Sequence, residues 1–169
     1  MPIYLPFVIS VFFSLVVWSL VLRRWLWPWL NRRPLAEAVE PLLYLHAFRF
    51  IGLAFLVPGV VGPGLNRDWA AGAAWGDLVT ALLALLLLGL RRSRALRPGL
   101  WIFSVVGIGD LLRALVLGPL ANVVPDLHAT YFIPVLGVPL LLVTHATVVA
   151  LLLRSASIPQ RALGAQNPV

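Results

Sequence analysis

Six ionisable side chains stand inside long apolar runs of this sequence: His46, Arg49, Asp77, Asp110, Arg113 and His145. An Asp or Arg at the centre of a membrane span opposes insertion by roughly 2.5–3.5 kcal/mol. The two carboxylates and two guanidiniums therefore need partners inside the protein. Counting ~1.5 Å of rise per helical residue sets Asp77 and Arg113 at one depth and brings Arg49 within reach of Asp110. We expect two ion pairs, Arg113 with Asp77 and Arg49 with Asp110, forming a structural polar network. His46 and Arg49, like Asp110 and Arg113, are three residues apart and share one side of a helix.

The two histidines are then left over, at similar depth on different helices. Imidazoles facing each other across a bundle, with a guanidinium beside them, are the parts of a bis-histidine haem b site. In that reading His46 and His145 are the axial ligands, Arg49 approaches a propionate, and the protein serves electron transfer or haem handling. Gly137, Leu141 and His145 recur at i, i+4 and i+8, so the path above His145 is free of bulk at Gly137.

Three other readings stay open. His46 and His145 with Asp77 or Asp110 would be a ligand set for a non-haem metal, although the arginines compete for both carboxylates. The same four residues could form a proton or ion ladder across the bilayer. Alternatively they do no chemistry and fix helix register by hydrogen bonding in a non-catalytic, partner-binding subunit. No catalytic residue is identifiable: HExxH, GxSxG and a strand-borne GxGxxG are all absent. The lack of cysteine removes disulfides, iron–sulfur clusters and thiolate zinc sites. All basic residues are arginine, so Schiff-base lysine chemistry is removed as well.

The elements that must position these residues are legible from hydropathy. The chain is 61% hydrophobic and only 11% charged, against about 25% charged in soluble domains, and its mean hydropathy is +0.96. Roughly 20 apolar residues are needed per helical span. The sequence therefore predicts an all-α integral membrane bundle of about five transmembrane helices, at about 3–22, 42–61, 69–90, 100–120 and 132–153. Residues 1–153 form one transmembrane domain, and 154–169 read as a disordered polar tail. The first run has no positive segment ahead of it and reads as an uncleaved anchor. Between the first two spans, Trp25, Trp27 and Trp29 interleave with Arg32 and Arg33, which reads as an interfacial loop at headgroup depth.

Arginines cluster in alternate connections: Arg23, Arg24, Arg32 and Arg33, then Arg91, Arg92, Arg94 and Arg97, then Arg154 and Arg161, against Arg67 alone on the other side. The positive-inside rule places the amino terminus outside and the carboxyl terminus in the cytoplasm. It also accounts for the formal charge of +7 without nucleic acid; the expected partners are the lipid bilayer and a second copy or a larger membrane complex. The glycines of Gly72–Gly76 and the Ser104–Gly107 pair read as helix-packing signals.

The segments His46-Ala47-Phe48-Arg49-Phe50-Ile51-Gly52-Leu53, Gly76-Asp77-Leu78, Gly109-Asp110-Leu111-Leu112 and Val138-Pro139 through Thr144-His145 resemble a group of small bacterial multispanning membrane proteins that carries no functional name. The likeness covers about Leu42 to Leu153. It implies a multi-pass protein of the bacterial cytoplasmic membrane and supplies no reaction.

Overall fold

Five apolar segments separated by short turns fold into five helices long and apolar enough to cross a membrane. The structure, a computed structural model, describes residues 4–164, with side chains described as far as Ser155. The spans are α1 (Tyr4–Leu30), α2 (Leu35–Leu56), α3 (Arg67–Gly89), α4 (Leu96–Leu120) and α5 (His128–Ser155). The last helix continues to Gly164; of the expected tail, residues 165–169 lie outside the described residues. Successive spans run antiparallel. Helices α2, α3, α4 and α5 close a ring, and α1 leans on α5 from outside. Phe7, Val11, Ser14 and Leu30 are the buried positions of α1, while Leu5, Phe12, Phe13, Val17 and Leu20 remain exposed, as suits a lipid-facing helix.

The tryptophan- and arginine-rich segment is not an interfacial loop. Helix α1 continues through a wide π-type turn, Leu22–Leu26, to Leu30, and α2 starts at Leu35. Only residues 31–34 connect them, with Pro34 (φ −56°, ψ 149°) redirecting the chain. Arg154, from the last helix, closes over this turn, donating to Asn31 Oδ1 at 2.6 Å and to the Arg33 carbonyl at 3.2 Å. Arg91 pairs with Glu40 at 3.0 Å, joining α2 to the α3–α4 turn. At the opposite end the α2–α3 and α4–α5 loops are tied together by Gly62 N–H to the Asp126 carbonyl (2.8 Å) and Ala129 N–H to the Val60 carbonyl (3.2 Å).

Two further stretches, both beside the polar layer, depart from α-helical geometry. The second half of α2, Phe48–Leu56, is a nine-residue 3₁₀ helix, far longer than the usual three or four residues. With three residues per turn, Arg49, Gly52 and Phe55 fall in line, and these are its buried positions. In α5, Ile133–Gly137 forms a wide π-type turn with Pro134 at its start, followed at once by Pro139, whose missing N–H cannot extend the α-helical ladder backward.

Two apolar cores fill the ring. One, at the arginine-rich end, is built on Leu43, Leu100, Phe103, Val148, Leu151 and Leu152. The other, at the opposite end, is built on Phe55, Trp69, Val123, Val124, Leu127 and Val135. Between them lies a polar layer containing His46, Arg49, Asp77, Thr80, Ser104, Thr144 and His145, all buried.

Candidate functional site

Arg49 is the centre of this layer. Its side chain is 1% exposed and forks onto two carboxylates from two other helices: Nε donates to Asp77 Oδ1 at 2.7 Å, and Nη2 donates to Asp110 Oδ2 at 2.6 Å. A planar guanidinium suits this geometry because its donors point in fixed, divergent directions. Nη1 reaches more weakly toward the Gly107 carbonyl (3.5 Å) and His145 Nε2 (3.4 Å).

The two expected ion pairs are thus one bridge. Arg113 does not meet Asp77: it is exposed, and its guanidinium lies against Gly72, in a groove shared with Asn66 and Asp68 near the end of the bundle. A long arginine stem covering apolar surface while its head reaches polar neighbours explains the placement. Helical phase is the reason. Asp110 and Arg113 are three residues apart, enough for one to face the interior and the other the periphery. Arg113→Ala is accordingly expected to shift stability by no more than about 0.5 kcal/mol, read as the unfolding midpoint in mild detergent.

The bridge itself, one guanidinium and two carboxylates, carries a formal charge of −1, and Arg113 at the periphery acts on Asp110 as a more distant positive charge. Neutrality in a low-dielectric layer calls for one further positive charge. Both carboxylates keep some access, at 11% and 12% side-chain exposure, and both border a cavity of about 20 Å³ that is otherwise lined by Phe55, Trp69, Leu111 and Leu115. That is room for one water molecule.

The histidines extend the layer from Arg49. Thr144 donates its hydroxyl proton to the Leu140 and Leu141 carbonyls (2.9 and 3.0 Å) and so accepts from His46 Nε2 at 3.0 Å. A guanidinium can only donate, so His145 Nε2 accepts from Arg49. These partners assign the ring proton of His46 to Nε2 and that of His145 to Nδ1. Neither Nδ1 has a hydrogen-bond partner among the described residues. The rings themselves touch, with centroids 4.1 Å apart, and Phe103 packs on both at 5.1 and 4.6 Å.

This contact does not fit a haem held by both residues. The porphyrin would have to lie between two imidazoles that already touch, and Arg49 is engaged by two aspartates. Nor does any group of three or more His, Cys, Asp or Glu among the described residues stand ready to hold a metal ion. Gly137 does not clear space over His145; it lines a separate cleft on the outer flank of α5.

The residues that sequence reasoning missed are glycines. A Cβ at Gly52 would overlap the Asp77 carboxylate, one at Gly76 the Asp110 carboxylate, and one at Gly107 the His145 imidazole, while standing 3.1 Å from Arg49 Nη1. These positions cradle polar heads, which is a different use from the helix packing expected of Gly76 and Gly107. The available signal was adjacency: Gly52 follows Arg49 by three residues and Gly76 precedes Asp77 directly.

Residues 6–153 match the family described as "Domain of unknown function (DUF8737)". The chain belongs to this family. The match takes in all six intramembrane ionisable residues and the three cradle glycines, so the polar layer of this DUF8737 protein lies wholly inside the family region. No curated protein and no solved structure matches it.

Proposed function

We propose that this protein is a multi-pass membrane protein that binds and releases a proton on the Asp77 and Asp110 carboxylates bridged by Arg49, with the site loaded from one side. The observation that carries the reading is the unequal count in the bridge: two carboxylates share one guanidinium at 2.7 and 2.6 Å. A purely structural pair would balance its charge. A site with one excess carboxylate takes a proton as its smallest neutralising partner, and intramembrane carboxylates with histidines nearby are the parts of proton relays.

Access supports one-sided loading. The water-sized cavity borders both carboxylates, and Phe55 separates it from an open depression of about 710 Å³ at the Gly62, Arg67 and His128 end. On the other side Leu43, Leu100, Phe103 and Leu151 are each at most 1% exposed and belong to an apolar core beyond the histidines. If the arginine-rich end lies in the cytoplasm of a bacterial cell, as the positive-inside rule implies, the proton enters from outside.

The test is infrared difference spectroscopy of the protein in lipid nanodiscs across pH. A protonated-carboxyl carbonyl band that titrates in the wild type and disappears in Asp77→Asn or Asp110→Asn, with helicity retained, is the expected result. A band indifferent to both substitutions sinks the reading. Unfolding of both variants, with no titrating carboxyl in the wild type, leaves the layer a structural device that fixes helix register.

A further inference from the structure

The two non-α stretches beside the polar layer face each other. Between the 3₁₀ half of α2 and the π-type turn of α5 lies a cleft of about 280 Å³. Arg49 and Asp77 form its floor, Leu45, Ile51 and Leu141 line its sides, and Phe48 and Phe132 stand at its mouth, 60% and 64% exposed. Apolar, exposed rims on spanning helices open toward lipid, not toward water. Wide π-type turns are frequent at functional sites, and here one borders a cleft whose floor is charged.

We infer that this cleft takes the head of an isoprenoid quinone or quinol entering sideways from the bilayer, a substrate class that rests on the proton-binding reading above. Three features select this occupant. The floor offers both senses of hydrogen bond: after Asp77, Asp110, the Gly107 carbonyl and His145 are served, Arg49 keeps one Nη2 N–H, and the Asp77 carboxylate retains acceptor capacity. A quinone carbonyl accepts from the first and a quinol hydroxyl donates to the second. The formal charge of −1 on the bridge disfavours anionic heads, which counts against fatty-acid carboxylates and anionic phospholipids. The volume, just below the ~300–1,000 Å³ of drug-sized pockets, admits one ring, while the apolar mouth leaves an isoprenoid tail in the bilayer.

Gly137 gives the test a clean variant. A Cβ there meets nothing within 4 Å, so Gly137→Leu adds bulk at a residue that lines the cleft without a clash at its root. The probe is a decyl-substituted benzoquinone, titrated calorimetrically into nanodisc-embedded protein, with decanol and decanoate as comparison amphiphiles. Saturable quinone binding that weakens at least tenfold in Gly137→Leu, at unchanged unfolding midpoint and with the infrared carboxyl titration intact, is the expected outcome. No saturable quinone binding, binding undiminished in Gly137→Leu, or decanol or decanoate binding as tightly as the quinone each overturns the assignment. A wild type that titrates its carboxyl yet ignores the quinone loses this inference alone, whereas one without a titrating carboxyl loses the proton-binding reading as well.

Discussion

Arg49→Leu is expected to be the most damaging single substitution in the chain. It removes the one partner of two buried carboxylates, and breaking a buried ion pair from one side costs about 3–5 kcal/mol because a charge is left uncompensated. Here two are left, from α3 and α4. Arg49→Lys should fare little better, since a single ammonium cannot hold oxygens of two different residues along the divergent directions of a guanidinium fork. The measurement is the yield of folded protein and its unfolding midpoint in mild detergent. Adding Asp77→Asn and Asp110→Asn to Arg49→Leu removes the stranded charges and should restore most of the loss. A folded Arg49→Leu protein with an unchanged midpoint would show that the bridge does not hold the bundle together.

The second large effect is expected at Gly107. A methyl group there overlaps the His145 ring and crowds Arg49 Nη1, and neither head has free space to move into, since His145 is fully buried against Phe103 and His46. Overpacking of this kind costs about 1–3 kcal/mol, and it also displaces the bridge. Gly109→Ala, two residues along the same helix, is the matched control: its Cβ meets nothing within 4 Å, and replacing glycine by alanine inside a helix should by itself stabilise. Opposite signs at positions 107 and 109 in thermal unfolding are the expected result. Equal effects would mean that backbone preference, not the crowding of polar heads, governs both sites.

The spans and their charged residues were legible in the sequence because hydropathy is a property of each segment alone. The pairing was not. Depth counted at ~1.5 Å per residue assumes one helical geometry throughout, whereas Phe48–Leu56 rises faster and turns tighter, which alters the height and direction of everything beyond Ala47. Depth also carries no azimuth, so Arg113 seemed a match for Asp77 although it points to the periphery. Gly137 and His145 face different spaces because eight α-helical residues at 3.6 per turn leave an offset of about 80° around the axis. Tryptophans beside Arg32 and Arg33 predict an interfacial loop, yet Trp25 to Leu30 lie on a continuous helical path and only residues 31–34 connect the helices. Gly52, Gly76 and Gly107 hold polar heads from other helices, a relation that no local pattern encodes.

The bridge also sets terms for how the chain is made. Arg49 lies on the least apolar of the five spans, with a window hydropathy of 1.4 against 1.9–2.5 for the others, and both of its counter-charges are synthesised later, on α3 and α4. When α2 leaves the ribosome its guanidinium therefore has no acidic neighbour in the bilayer, and the roughly 2.5–3.5 kcal/mol insertion penalty stands in full. The apolar residues of α2 offset that penalty in part, and the ion pairs that relieve the rest form only once α3 and α4, ending with Asp110, have been made.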